Sequence, residues 1–215
     1  TFSTLSDGTY SDCSLYDTTS TGVKAKTLSV TPFTVDTTAP TLSQVTAVTT
    51  PTKDPTPSYA FSSDEAGTIS YGGCSPGGTS AINGTNSISF GTLSEGSYSC
   101  TITVTDSAGN ASSALSVNTF VVDTTAPSLS QSTAVTTPTK DPTPSYAFSS
   151  TEAGTISYGG SCSGTTSASS GTNSISFNTL GEGSYDNCTI TVTDSALNAS
   201  SALSVNTFVV DTTAP

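Results

Sequence analysis

Apolar and polar residues alternate along this chain in short stretches, and nowhere do apolar residues recur at helical spacing. Within residues 41–127 the alternation predicts seven strands: A at Leu42–Thr49, B at Ser58–Phe61, C at Thr68–Gly72, D at Thr79–Ile82, E at Ser87–Leu93, F at Tyr98–Thr105 and G at Ala111–Val122. Ile69 and Tyr71 share one face of C, Ile88 and Phe90 one face of E, and Tyr98, Cys100, Ile102 and Val104 one face of F. That period of two marks a strand with one buried side. Pro51 and Pro55 interrupt the ladder between A and B. Asp64-Glu65-Ala66-Gly67, Asn83-Gly84 and Glu95-Gly96 supply the turns. Seven short strands and no helix predict an all-β sandwich of two sheets.

The pattern then repeats. Val-Asp-Thr-Thr-Ala-Pro occurs at Val35–Pro40, Val122–Pro127 and Val210–Pro215, at intervals of 87 and 88 residues. A fixed period of this size sets the architecture before any single residue does. Residues 41–127 and 128–215 are two full repeats. Residues 1–40 read as the C-terminal half of a third, strands F and G plus linker, because Thr4–Ser14 matches Thr92–Thr101 and Thr179–Thr189. Two strands alone do not bury a core, so strands A to E of that unit are expected from upstream residues or from another chain. Each linker ends in Ala-Pro, which fixes the chain in an extended course and makes a stiff joint.

The cysteines fit the same plan. Cys74 follows strand C and Cys100 lies early in F. In the second repeat both counterparts, Cys162 and Cys188, are displaced by one residue, although Tyr158 and Tyr185 keep the earlier offset. Two insertions, each beside a cysteine, keep the pair level across neighbouring antiparallel strands. The expected disulfides are therefore Cys74–Cys100 and Cys162–Cys188, with Cys13 paired to a cysteine upstream. Such bonds imply an oxidising compartment outside the cytoplasm.

Composition narrows the functions. Sixteen Asp and Glu stand against four Lys, for a net charge of −12. No basic face is available for nucleic acid or an anionic membrane, and no apolar run approaches the ~20 residues of a membrane span. With no His, the usual base of Ser- and Cys-based catalysis is missing; no enzyme is expected.

The segments TPTKDPTPSYAFSSDEAGTISY, VTDSAGNAS and VDTTAP resemble the tandem bacterial immunoglobulin-like repeats of large secreted adhesins and surface proteins. The resemblance covers both full repeats and the half repeat. It implies seven-strand immunoglobulin-like β-sandwiches, here with one disulfide each, joined as beads of a stalk and exported to the bacterial cell surface. Lys53 and Lys140 stand where an Asn is common in such repeats.

In such a sandwich the entry linker, the B–C turn and the F–G loop meet at one pole. That pole carries Asp36, Asp64, Glu65, Asp106 and Asn110 in the first full repeat. In the second it carries Asp123, Glu152, Asp194 and Asn198, with Thr151 in place of the first Asp. Clustered carboxylates suit Ca²⁺, and related adhesin repeats are similar in holding Ca²⁺ at such joints. With one carboxylate fewer, the second site is expected to bind more weakly. The alternative is that Asp36 and Asp106 only bond nearby backbone N–H groups in turns. Tyr98 and Tyr185 resemble the tyrosine corner of immunoglobulin sandwiches. Asn83, Asn110, Asn187 and Asn198 match the glycosylation pattern, and Lys53 raises the isopeptide chemistry of some surface fibres.

Three functions follow from this reading. The first is a stalk or spacer of an extracellular adhesin or surface fibre, its partners being neighbouring repeats of the same chain. The second is a subunit of an ordered filament or sheath, touching other copies laterally or by strand complementation. The third is a carbohydrate-binding module, which needs exposed aromatics that the strand pattern places inside.

Overall fold

Alternation becomes strand almost everywhere the sequence shows it. The computed structural model describes residues 3–74 and 77–214, and all 22 of its regular elements are β-strands. No helix among the described residues is long and apolar enough to cross a membrane. The chain divides into two compact units: residues 1–48, 58–91 and 99–118 in the first, residues 49–57, 92–98 and 119–215 in the second. Asp36 lies inside the first unit and Asp123 inside the second.

The second unit contains the whole second repeat, which shows the architecture. Leu129–Thr133, Ser145–Ser150 and Gly171–Ser176 form a three-stranded antiparallel sheet, the A–B–E layer. Ser167–Ala168, Gly154–Gly159, Thr189–Thr193 and Leu203–Ser204 form a four-stranded sheet, in the order D–C–F–G. Their inward residues make one core of Tyr146, Phe148, Ile156, Phe177, Ile190 and Val192, among others. Burying each large apolar side chain contributes about 1.5–3 kcal/mol. The unit also pairs Gly96–Tyr98 with Phe120–Val122.

The first unit holds the corresponding sheets of the first repeat. Leu42–Thr46, Ser58–Ser63 and Gly84–Ser89 form one, and Ser80–Ala81, Gly67–Gly72, Thr101–Thr105 and Leu115–Ser116 the other. It also holds the half repeat, where Gly8–Tyr10 pairs with Phe33–Val35 and Ser14–Leu15 with Leu28–Ser29.

Strands F and G differ from expectation. Each breaks in two; both halves of F still pair with halves of G, and only the second half of F also joins C. In the second repeat Gly183–Tyr185 pairs with Phe208–Val210, whereas Thr189–Thr193 joins the four-stranded sheet beside Leu203–Ser204. Strand E runs Gly84–Ser89 rather than Ser87–Leu93. Leu93 is still buried, but its N–H donates to Pro55 O (2.8 Å) outside any strand.

Both predicted disulfides are present. Cys74 and Cys100 have Cα atoms 5.4 Å apart, and Cys162 and Cys188 5.5 Å. The inserted residues fall between ladders, after Gly159 and after Tyr185, where one more residue disturbs no register. Closing loops of this length stabilises a fold by roughly 3–4 kcal/mol in the chain-entropy picture.

Candidate metal centre

The F–G loop organises the pole. In the first unit Asp106 is buried and caps its own loop: Oδ1 accepts the N–H groups of Ala108 (2.8 Å), Gly109 (2.7 Å) and Asn110 (2.9 Å). Oδ2 accepts Asn110 Nδ2 at 2.9 Å, and the same amide reaches Asp36 O at 3.0 Å. Asp36 turns its own carboxylate to Thr38 N–H, 3.1 Å away. The linker is thus tied to the loop through one Asn, and the turn bonding foreseen for both Asp residues is made.

Those bonds leave the carboxylates close together. One oxygen each of Asp36, Glu65 and Asp106 lies within 4.8 Å of the others. In the second unit Asp123, Glu152 and Asp194 do the same. There Asn198 donates its backbone N–H to Asp194 Oδ1 (2.9 Å), and its Nδ2 to Asp194 Oδ2 (2.9 Å) and Asp123 O (2.9 Å).

Asp64 is not in the triad. Its carboxylate accepts Thr41 N–H at 2.6 Å, and Thr151 Oγ1 accepts Ser128 N–H at 2.9 Å in the equivalent place. The two triads therefore have equal carboxylate numbers, and the Asp64-to-Thr151 exchange lies outside both. Asn110 and Asn198 stand behind the carboxylates and orient them.

Crowding shows in the acidities. Burial raises the pKa of Glu65, and the charges of Asp36, Asp106, Asp64 and Asp7 raise it further. Burial, Asp123, Asp194 and Glu95 do the same to Glu152. For Asp106 burial acts upward, but the bonds from Asn110, Ala108 and Gly109 outweigh it and hold the carboxyl below its ordinary value. Three hard oxygens converging at this separation fit a cation that takes six to eight oxygen ligands. With Asp106 Oδ1 already accepting three N–H groups, Oδ2 is the better placed donor.

The sequence reading missed one set of residues. The acid of Thr-Leu-x-[Asp/Glu]-Gly grips the two threonines of VDTTAP. Asp7 accepts from Thr37 N (3.0 Å), Thr37 Oγ1 (2.8 Å) and Thr38 Oγ1 (2.9 Å). Glu95 accepts from Thr124 N (2.9 Å) and Oγ1 (3.1 Å) and from Thr125 Oγ1. Glu182 does so from Thr212 Oγ1 (2.6 Å) and Thr213 Oγ1 (2.6 Å). These bonds lower the pKa of all three acids. The signal was visible as an acid recurring at one position in every TLxxG.

Other candidates resolve plainly. Tyr98 OH donates to Ser94 O (2.8 Å) and Tyr185 OH to Gly181 O (3.0 Å), the corner geometry. Asn110 and Asn198 commit their amide nitrogens to Asp partners, which argues against their glycosylation. Asn83 Nδ2 donates to Asp64 O, and Asn187 is exposed. Lys53 is exposed and its Nζ donates to Leu197 O at 3.0 Å. Cys13 is a free, half-buried thiol among the described residues.

A two-sheet sandwich with an acidic pole is a class of module shared by many proteins. Within that class, residues 84–147 match the model of the bacterial Ig-like domain, group 3. That segment is similar to the bacterial Ig-like repeats that the chain's motifs resemble. Similar solved structures include the fibronectin(III)-like modules of Clostridium thermocellum CbhA, at 12% identity, covering 80% of this chain and 94% of that one, with a TM-score of 0.43. The D00-D0 domain of intimin is 11% identical, covering 80% of this chain and 99% of that one, with a TM-score of 0.34. Neither likeness bears on function. No curated protein matches the chain.

Proposed function

We propose that the chain is a structural stalk or spacer segment of an extracellular bacterial adhesin or surface fibre. One observation carries this reading: the VDTTAP joints at Asp36 and at Asp123 are each gripped from both sides. Glu95 binds Thr124 and Thr125 while Asn198 binds the carbonyl of Asp123. Asp7 and Asn110 do the same around Asp36. Together with the fixed φ of the proline, these bonds oppose bending. The modules in this reading are residues 41–127 and 128–215, preceded by the half repeat 1–40, and the partners are neighbouring repeats. Ca²⁺ is the proposed brace at each triad. Its cost-free precondition is the carboxylate crowding, which a divalent charge relieves. No catalytic step is assigned.

Spin labels at Ser97 and Ser130 test the joint. The expected result is a narrow distance distribution that broadens when Glu95→Ala and Asn198→Ala are combined. A broad distribution in the unaltered chain sinks the stalk reading.

A second reading, lateral assembly into a filament or sheath, has its own support. All sixteen acids and four lysines lie outside the strands. The edge strands Leu42–Thr46 and Gly84–Ser89 lack the charges that usually guard an edge against pairing. Electron microscopy of concentrated chain separates the two: ordered filaments favour the second, isolated particles the first.

A further inference from the structure

We infer that Lys53 is a latch: from the A–B turn of the first repeat it holds the F–G apex of the second at Leu197, and so couples that loop to the repeat before it. The inference goes beyond the stalk reading and does not rest on it.

The turn is built to aim a side chain. Thr52 donates its N–H to Val121 O (2.9 Å) and its carbonyl accepts Asp123 N–H (2.9 Å), so it lies alongside the end of strand G where the linker begins. Thr50 Oγ1 accepts Val121 N–H at 3.0 Å. Asp54 donates its N–H to Thr52 Oγ1 (3.1 Å), and its carboxylate accepts Thr56 N–H (2.8 Å). Lys53 stands between these fixed residues, and its Nζ donates to Leu197 O at 3.0 Å.

The loop that it reaches is short of internal support. In the first repeat Asp106 Oδ1 accepts three N–H groups, those of Ala108, Gly109 and Asn110. Of the three corresponding bonds Asp194 Oδ1 keeps one, from Asn198 at 2.9 Å. The apex is also strained. Leu197 holds φ 70°, where a Cβ crowds the backbone, whereas glycine at position 109 is free of that penalty. A loop with fewer bonds and a strained apex gains most from an outside hold, and the ammonium of Lys53 supplies one to the apex carbonyl. Ala196, one residue earlier, is 3% exposed, although its counterpart Ala108 is exposed. Asn198, one residue later, carries the tie to Asp123 O, so a hold on the apex also positions that tie.

The chain contains its own control. Residues 134–150 repeat residues 47–63 without change. The second turn makes the same bonds: Thr139 N–H to Val209 O (2.9 Å), Asp211 N–H to Thr139 O (2.9 Å) and Thr143 N–H to Asp141 (2.8 Å). It presents Lys140, which is exposed and bonds no other described residue. The two lysines therefore share sequence and turn, and differ in the carbonyl that stands before Lys53.

The test uses the unaltered 215-residue chain, acetylated with sulfosuccinimidyl acetate and mapped after chymotryptic digestion. Val45 and Ser132 give the two lysine peptides different masses. In the folded chain Lys53 should react at least about threefold more slowly than Lys140, and in concentrated urea at the same rate. Equal rates in the folded chain overturn the latch. Amide exchange then reads the loop. Lys53→Met should speed exchange at residues 196–198 by about tenfold, and Lys140→Met should leave it unchanged. Equal effects of the two substitutions, or no effect of either, overturn the coupling. In a Leu197→Gly chain the acceleration by Lys53→Met should shrink, because glycine keeps the apex conformation unaided; an undiminished acceleration there overturns the part assigned to the strained apex.

Discussion

The pole at Asp36 and the pole at Asp123 are built from the same parts in different surroundings. Each has a linker Asp, a B–C turn Glu, an F–G loop Asp and an Asn that ties linker to loop. Around them the clasping acid is Asp7 in one and Glu95 in the other, the strand A amide is capped by Asp64 or by Thr151, and the loop apex is Gly109 or Leu197. Parts that must converge on one point are kept, and parts that satisfy one local bond are exchanged for any side chain able to make it. The apex goes further: Leu197 adopts φ 70°, a conformation that costs a residue with a Cβ about 1–2 kcal/mol, where Gly109 takes φ 98° freely.

Breaking the tie should test the equivalence hardest. Asn110→Ala and Asn198→Ala each remove a bond to a carboxylate and a bond to the linker carbonyl, and each is expected to cost about 2 kcal/mol in urea unfolding. Unequal losses would show that the poles are not interchangeable. Next comes the cation. If Ca²⁺ binds with a dissociation constant near the ~1 mM of extracellular modules, 10 mM Ca²⁺ should stabilise each pole by about 1.4 kcal/mol. Calorimetry should find two sites of similar affinity; one site, or a clearly weaker second, would restore a role for Asp64. Exchanging the apexes should give about 1 kcal/mol with opposite signs: Leu197→Gly raises the melting temperature and Gly109→Leu lowers it.

The smallest effect is that of pH. Glu65 and Glu152 have raised folded pKa values, so they favour folding below their unfolded value near 4.5, and this is lost as pH rises through the folded value. Glu65→Gln should therefore raise stability at pH 7 without Ca²⁺ and abolish the first pole's Ca²⁺ response. Asp7, Glu95 and Glu182 act in the opposite sense. Their folded values are lowered, so their contribution is present above the unfolded value and lost as pH falls through the folded one. In Glu95→Gln and Glu182→Gln chains, acid titration followed by circular dichroism should show a weaker loss of stability on the acid side.

Much of this was legible because burial imposes a period. Tyr59 and Phe61, Ile69 and Tyr71, and Ile102 and Val104 alternate visibly, and the paired insertions beside Cys162 and Cys188 betray the disulfide. The breaks in F and G were not legible. Tyr185 and Ile190 belong to different ladders, yet the apolar pattern runs on across the gap because both face the core. Polar residues that replace backbone pairing were hidden too. Asn118 bonds both the N–H (2.9 Å) and the carbonyl (2.9 Å) of Val48, standing in for a ladder residue that no alternation rule would flag. At the poles, the sequence placed Asp36, Asp64, Glu65 and Asp106 at one end but did not show which of them converge, since Asp64 and Glu65 are adjacent and only folding turns them to different partners.

The disulfides have a mechanical consequence. Cys162 and Cys188 are 26 residues apart in sequence. When tension is applied to the ends of that repeat, the covalent shortcut carries it and the enclosed segment stays slack and unextended. A ruptured repeat then lengthens by about 90 Å less than its reduced form, taking roughly 3.5 Å per withheld residue. A tether of such links would yield in short steps under load, and a reducing environment would turn the same tether into a longer, softer one.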